Sequence, residues 1–293
     1  MSEIPSDLEQ LRRRIDEIDD RLQDLLVERI NIVSRVAAHK RGNNGLAAHQ
    51  PAREAEVIRR LIKRNGGRFP PATLVRMWRE LLGATVRQQL RQRLDTFAVA
   101  VYAPLAAPGY WDLARDHYGS LTTMTAHPST AQVVRAVIDD RAAIGVLPMP
   151  QDGDADPWWL HLLSVPERVP QVITRLPFGS RGNARSDGAA ALAIGRGTRQ
   201  PTSRDRTLIV IENAPDISRD RIVSTLKAAG LTGTILALHE QAQAAHTLID
   251  IAGFVALDDH RLATFKAQVI PTLQRILLLG GYAAPFAEDD LKP

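Results

Sequence analysis

The sequence contains no cysteine, and only 5% of its 293 residues are aromatic. Without cysteine there can be no disulfide, no thiol nucleophile and no thiolate metal site. The 8 histidines are scattered without the spacing of metal ligands, so no metal site is predicted. No glycine-rich phosphate loop stands between a predicted strand and a predicted helix.

Long apolar runs are missing as well. No run approaches the roughly 18 residues that a membrane-spanning helix needs. Residues 1–5 carry neither the basic region nor the apolar region of a secretory signal. These features predict a cytoplasmic protein without a membrane partner, and the length is sufficient for two or three domains.

Charge is distributed unevenly along the chain. Residues 1–95 hold 19 basic and 13 acidic side chains, a net charge of +6, whereas the remainder holds 18 and 20, a net charge of −2. A basic N-terminal third suits an anionic ligand. It also fits a nucleic-acid-binding module in which Arg12, Arg13 and Arg14 contact phosphates, although charge alone is a generic signal.

The first helix is predicted to be unusually long. Ser6 and Glu9 form a capping box that starts the helix near Asp7, and no proline or glycine follows before Gly42. A helix of about 35 residues is about 50 Å long, which exceeds a small domain. Two shorter helices cannot cover its apolar seam, so a second copy related by two-fold symmetry is the expected partner.

Two cations interrupt that seam. Arg29 falls where the next apolar residue is due, and Lys40 lies three helical turns further along nearly the same face. A cation in an apolar seam is costly to bury without a partner. The pair therefore indicates an anion site, with a salt-bridged or register-setting role for Arg29 as the alternative. The seam contains Leu11, Ile15, Ile18, Leu22, Leu25, Ile32 and Val36.

Two more helices follow. One begins at Pro51, has Arg53 and Glu54 in its first turn and ends near residues 65–66. The third begins at residues 70–71 and is predicted to bury one apolar stripe. That stripe consists of Leu74, Met77, Trp78, Leu81 and Leu82, and Thr85 and Gln89 continue it.

Residues 6–94 resemble the all-α chorismate mutases. The ordered motifs that carry the resemblance are residues 11–19, 25–29, Lys40, 53–54 and Thr85 with Gln89. The resemblance implies an intertwined homodimer that converts chorismate to prephenate, an isomerisation that needs no cofactor. The small-molecule substrate is then the dianion chorismate.

The resemblance also implies a role for each matching residue. Arg12 would enter the partner subunit's site to bind a carboxylate, and Arg29 would bind a carboxylate within its own chain. Lys40 and Gln89 would donate hydrogen bonds to the ether oxygen. Glu54 would accept one from the substrate hydroxyl, Arg53 would support the carboxylate network, and Thr85 stands where the family often has serine.

One position departs from the family pattern. Gln50 stands three residues before Arg53, where the family commonly has aspartate. The roles of Arg53 and Glu54 therefore have less support in the sequence than those of Arg29, Lys40 and Gln89.

The chemistry of a pericyclic rearrangement agrees with this residue set. The reaction needs no nucleophile, metal or redox group. It needs cationic clamps that fix the enolpyruvyl arm over the ring. It also needs fixed donors at the ether oxygen, where negative charge grows as the C–O bond lengthens.

Residues 96–195 alternate between predicted strands and helices, which favours a small α/β unit with a mainly parallel sheet. They resemble the first lobe of prephenate dehydratases, with residues 145–150 as the strand that runs into a substrate loop. The family's Thr-Arg-Phe triplet is replaced by residues 189–191, which are all alanine. Thr174-Arg175 is interpreted as a chance match, so this segment is predicted to be a non-catalytic remnant.

Residues 204–286 are predicted to fold as βαββαβ, the order of a ferredoxin-like domain. They resemble an ACT domain, which implies an amino-acid effector, although residues 214–217 lack the usual Pro-Gly loop. The overall prediction is a multidomain protein with an all-α domain (1–95), an α/β segment (96–195) and an ACT-like domain (204–286). Three alternatives remain: a bifunctional mutase/dehydratase, a non-catalytic regulatory dimer and a nucleic-acid-binding module.

Overall fold

The computed structural model describes residues 4–39, 49–91, 97–163, 170–185, 190–213, 217–240, 244–269 and 273–292. Its α-helices are α1 (Ile4–His39), α2 (Pro51–Asn65), α3 (Pro71–Arg91), α4 (Gly109–Tyr118), α5 (Thr130–Ile138), α6 (Arg219–Ala228) and α7 (His260–Val269). Its strands are β1 (Ala98–Tyr102), β2 (Thr123–His127), β3 (Ile144–Pro148), β4 (Gln171–Leu176), β5 (Ala191–Gly195), β6 (Asp205–Asn213), β7 (Gly233–Glu240), β8 (Ala245–Ala252) and β9 (Leu273–Ala283).

The three predicted N-terminal helices are confirmed. α1 contains 36 residues and begins three residues before the predicted start. α2 has Pro51 in its first turn and ends at Gly66, whose φ of 57° is the left-handed conformation that glycine adopts readily. The chain divides into two compact units: one contains α1 and α3 from Thr85 onward, and the other contains α2, the beginning of α3 and all the strands.

Within the second unit, the predicted stripe of α3 is buried in part. Leu82 of that stripe is buried together with Ile58 of α2, and Trp78 packs against the same core. Met77 of the stripe is 56% exposed, whereas Val75, which the prediction did not include, is buried. The predicted burial is therefore confirmed for Leu82 and wrong for Met77.

The strands form one sheet in the order β2-β1-β3-β5-β4-β9-β6-β8-β7. β1 pairs in parallel with β2 and with β3, but β5 is antiparallel to both of its neighbours. The α/β segment is therefore mixed rather than mainly parallel, because β4 and β5 follow each other without a crossover helix in the described residues.

The predicted βαββαβ order of the C-terminal part is confirmed, with the strand order β9-β6-β8-β7 of a ferredoxin-like fold. α6 begins at Ser218, whose side chain accepts a hydrogen bond from the backbone N–H of Arg221. α6 and α7 cover one face of these strands, where the buried side chains include Ile209, Ile249 and Phe265.

β4 and β9 join the α/β segment to the ferredoxin-like part as parallel neighbours, with Val172 opposite Gly280. A Cβ at Gly280 would lie 2.3 Å from the carbonyl oxygen of Val172, and its φ of 133° also favours glycine. One apolar core continues across this junction and contains Trp158, Trp159 and Val172 together with Leu208 and Leu279.

α2 is attached to the same unit through the side chain of Arg59. Its guanidinium donates to the carbonyl oxygens of Arg204 at 2.9 Å and Ala284 at 2.7 Å. It also donates to Glu56 of α2 at 2.9 Å. This network holds the middle of α2 in place beside the ferredoxin-like part.

Among the described helices, none combines the length and apolar character needed to cross a membrane. Over the same residues, the structure contains no cluster of three histidine, aspartate or glutamate side chains suited to a metal ion.

Candidate active site

Arg29 and Thr85 are in direct contact. The Arg29 guanidinium on α1 donates a hydrogen bond of 2.7 Å to the Thr85 hydroxyl on α3. Thr85 is buried and Arg29 is partly buried, and this burial lowers the pKa of the Arg29 guanidinium. A guanidinium carries a permanent positive charge and five N–H donors, which suit it to bind an anion.

Gln89 lies one helical turn beyond Thr85 on α3, and it is partly buried. Residues four apart on a helix share a face, so the amide of Gln89 follows the Thr85 hydroxyl along one side of α3. Lys40, the other predicted donor, lies outside the described residues.

Arg12 is exposed and lies near the other end of α1. Seventeen residues separate it from Arg29, which corresponds to about 25 Å along the helix axis. That distance is much longer than an arginine side chain. Arg12 therefore does not reach the neighbourhood of Arg29 within one chain.

Glu54 is held in a buried ion pair in the second compact unit. Its carboxylate accepts a hydrogen bond of 3.1 Å from Arg79 of α3, and the two side chains are 12% and 5% exposed. Arg53, the neighbouring residue on α2, is exposed. Gln50 stands just before the helix, and its side chain makes no capping hydrogen bond there.

Aromatic and histidine side chains surround this ion pair. His49 lies 3.9 Å from the Glu54 carboxylate, and its ring packs 5.7 Å from that of Tyr118. Burial lowers the pKa of His49 and lowers the pKa of His117 well below its usual range, so both rings are neutral at pH 7. Burial also raises the pKa of the Tyr118 hydroxyl. Glu54 and Arg79 form the ion pair at the centre of this cluster.

Arg79 is the residue that the sequence reasoning missed. The sequence does indicate its importance. Arg79 interrupts an apolar row of α3 that contains Val75 and Leu82, just as Arg29 interrupts the apolar row of α1. Its guanidinium also stacks 4.7 Å from the centre of the Phe178 ring, a cation–π distance.

Replacing Arg79 with methionine is expected to destabilise the protein by about 3 to 5 kcal/mol, because Glu54 would remain as an unpaired buried charge. Thermal and urea unfolding would measure the loss. Arg60→Met, at an exposed position on α2, serves as the control.

The double variant Arg79→Met/Glu54→Leu should recover much of this stability, because it removes both charges. An Arg79→Met protein as stable as the control would show that the ion pair does not hold α2 against α3.

Residues 11–90 match the family described as chorismate mutase type II. The N-terminal part of the chain is therefore a chorismate mutase type II domain. The match includes Arg12, Arg29, Lys40, Arg53, Glu54, Thr85 and Gln89.

Two curated relatives are bifunctional chorismate mutase/prephenate dehydratases. The protein from Aquifex aeolicus (strain VF5) is 31% identical over 147 residues, which cover 49% of this chain and 39% of that protein. The protein from Stutzerimonas stutzeri is 27% identical over 148 residues, which cover 48% of this chain and 38% of that protein. The alignment thus spans about two fifths of the length of each relative.

Solved structures of prephenate dehydratases also align with the chain. The one from Streptococcus mutans is 13% identical, with a TM-score of 0.45, and the alignment covers 65% of this chain and 99% of that one. The one from Arthrobacter aurescens, solved with L-Phe, is 12% identical, with a TM-score of 0.46 and coverage of 67% and 92%.

Proposed function

We propose that this protein is a chorismate mutase, an intramolecular isomerase that converts chorismate to prephenate in aromatic amino-acid biosynthesis in the cytoplasm. The observation that carries the proposal is the pairing of Arg29 with Thr85 inside a chorismate mutase type II domain. Both residues are among those that the resemblance assigns to substrate binding.

The contacts at Arg29 suit a clamp for one carboxylate of a dianion. The hydrogen bond from Arg29 to Thr85 fixes one edge of the guanidinium, so the group is oriented before the substrate arrives. Gln89, one turn further along α3, and Lys40 are the proposed donors to the ether oxygen. Fixed donors of this kind stabilise charge that develops only in the transition state.

Glu54 is the proposed acceptor of the substrate hydroxyl, with Arg53 supporting the carboxylate network. The hydrogen bond from the Arg79 guanidinium limits the rotation of the Glu54 carboxylate. Arg79 therefore acts as a positioning residue in this proposal, because its own contact is to Glu54 rather than to substrate.

A homodimer is part of the same proposal. The apolar side chains along α1 are 44% to 59% exposed within one chain, an unusual amount for a seam of this length. A second copy of α1 would cover them. It would also bring the partner's Arg12 close to Arg29, which Arg12 of the same chain does not reach. The seam residues measured are Leu11, Ile15, Ile18, Leu22, Leu25, Ile32 and Val36.

The proposed domains are 1–95 for the mutase, 96–195 for a non-catalytic dehydratase-like segment and 204–286 for an ACT-like domain that takes an amino-acid effector. The mixed sheet and the short connection after β4 support a remnant rather than a two-lobed enzyme. Thr174 supports it too, since its side chain is buried within the central strand β4 and its hydroxyl has no hydrogen-bond partner among the described residues.

The direct test follows the loss of chorismate's ultraviolet absorbance with purified full-length protein. Saturable turnover to prephenate is expected, with Arg29→Ala strongly impaired and the exposed Arg21→Ala as the charge-matched control on α1. A folded protein without turnover would contradict the proposal. Salt-dependent retention of DNA by that protein would then favour the nucleic-acid-binding alternative.

Prephenate is expected to accumulate as the final product, without phenylpyruvate. Dehydration needs a positioned donor to the leaving hydroxyl, a role that contributes typically about 10²- to 10⁴-fold. Thr174 cannot supply it from the interior of β4. A discontinuous assay for phenylpyruvate at mildly alkaline pH would check this, since the acid-catalysed background is low there. Phenylpyruvate above that background and abolished by Thr174→Ala would instead reveal a working dehydratase.

A further inference from the structure

The ring of Phe178 lies against the guanidinium of Arg79. Phe178 follows β4 in the α/β segment, whereas Arg79 belongs to α3 of the mutase domain. The guanidinium carbon is 4.7 Å from the centre of the ring, and each of the two residues is only 4% exposed. A cation–π contact is stronger when it is desolvated in this way than at the surface.

Arg79 connects Phe178 with Glu54. One end of its guanidinium donates to the Glu54 carboxylate at 3.1 Å, while the face of the same group is covered by the Phe178 ring. In the described ranges, no other side chain donates a hydrogen bond to this carboxylate, since the nearest nitrogen of His49 lies 3.9 Å away. The direction of the Glu54 carboxylate therefore depends on the plane of the Arg79 guanidinium.

Phe178 is itself held by parts of the chain outside the mutase domain. Its carbonyl oxygen accepts a hydrogen bond of 3.0 Å from the backbone N–H of Phe286. The two rings meet edge to face, with their centres 5.4 Å apart. Arg59, which is bonded to the ferredoxin-like part, lies 5.8 Å from the centre of the Phe178 ring. The ring is thus a fixed surface against which Arg79 packs.

α3 also lies close to the α/β segment through its backbone. A Cβ at Gly83 would lie 2.2 Å from the carbonyl oxygen of Tyr118, so a larger residue could not approach the end of α4 as closely. About one turn earlier, the Glu80 carboxylate accepts hydrogen bonds from the Ser120 N–H at 2.8 Å and from the Ser120 hydroxyl at 2.9 Å. These contacts hold α3 at a set distance from the segment.

We propose that Phe178 is a positioning residue for the mutase reaction, acting through Arg79 on the Glu54 carboxylate. The proposal rests on the proposed function, in which Glu54 accepts a hydrogen bond from the substrate hydroxyl. It gives the α/β segment a role in the mutase reaction that needs no substrate contact of its own. The role is sensitive to geometry, because a displacement of about 1 Å can lower a rate by about 10²-fold.

Fluorinated analogues of phenylalanine at position 178 test the contact in the full-length protein. Fluorine weakens the negative face of the ring and barely changes its size. With mono-, di- and trifluorinated rings, kcat/KM for chorismate should fall stepwise, to about one tenth of the wild-type value. Phe178→Leu, which removes the aromatic face altogether, should lower it at least as far. A ring that only filled the core would not respond to fluorination.

Phe265→Leu is the matched control, because it makes the same substitution in the separate core beneath α6 and α7. It should lower the melting temperature and leave kcat/KM unchanged. NMR reports the contact without any turnover, because the Nε–H signal of Arg79 is shifted by the ring current of Phe178. That signal should move in Phe178→Leu and keep its position in Phe265→Leu.

Two results would overturn the proposal while leaving the mutase function intact. One is a wild-type kcat/KM across the fluorinated series and in a folded Phe178→Leu protein. The other is an Arg79 Nε–H signal that does not move in Phe178→Leu, since the ring would then not determine the environment of Arg79. A wild-type protein that does not turn over chorismate would instead contradict the proposed function itself, and this proposal with it.

Discussion

Gln89→Ala is expected to lower kcat for the rearrangement of chorismate by about 10²- to 10³-fold, the usual effect of removing one oxyanion-type donor. The physical reason is that the Gln89 amide would interact with charge on the ether oxygen that grows as the C–O bond lengthens. KM should change little, because the ground state carries less of that charge. Lys40→Ala should have an effect of similar size.

Gln88→Ala is the matched control, because Gln88 is also a partly buried glutamine on α3 but lies about 100° away around the helix. Circular dichroism and the oligomeric state should be unchanged in all three variants. Near wild-type turnover in a folded Gln89→Ala protein would exclude the proposed role of Gln89. The same result in Lys40→Ala would remove the chemical basis of the mutase proposal.

The second large effect is the recovery of activity when two inactive variants are combined in one dimer. Arg12→Ala and Arg29→Ala homodimers should each be nearly inactive, since every site would lack one carboxylate clamp. In a mixed dimer, one of the two sites receives both arginines in native form. Co-refolding equal amounts should therefore recover about half of the wild-type activity per mixed dimer, as two-fold symmetry requires.

Arg14→Ala is the control for this experiment, because Arg14 is exposed and forms a local ion pair with Glu17 at 2.6 Å. Its homodimer should keep its activity. If mixing Arg12→Ala with Arg29→Ala restores no activity while heterodimers are shown to form, then Arg12 does not act across the interface.

Local patterns were sufficient to predict the elements. Caps, prolines and periodicity located α1, α2 and α3, and the alternation of apolar segments predicted the βαββαβ order of the C-terminal part. They also identified Arg29 and Thr85, which the structure brings into contact. An isolated cation in an apolar row is visible without any knowledge of the partner.

Contacts that depend on distant segments could not be predicted in this way. Arg79 interrupts an apolar row just as Arg29 does, but its environment comes from α2 and from Phe178, about 100 residues further along the chain. The antiparallel position of β5 and the pairing of β4 with β9 are equally non-local. Period-2 patterns specify which face a strand buries but not which strand lies beside it.

The pairing of Val172 with Gly280 affects how the two regions of the sheet unfold. Because one sheet and one apolar core run through both regions, neither region can unfold alone without exposing apolar surface of the other. The α/β segment and the ferredoxin-like part should therefore unfold cooperatively, in a single transition. If the α/β segment lacks catalytic residues, as proposed, it can persist in the chain because it forms part of a folding unit.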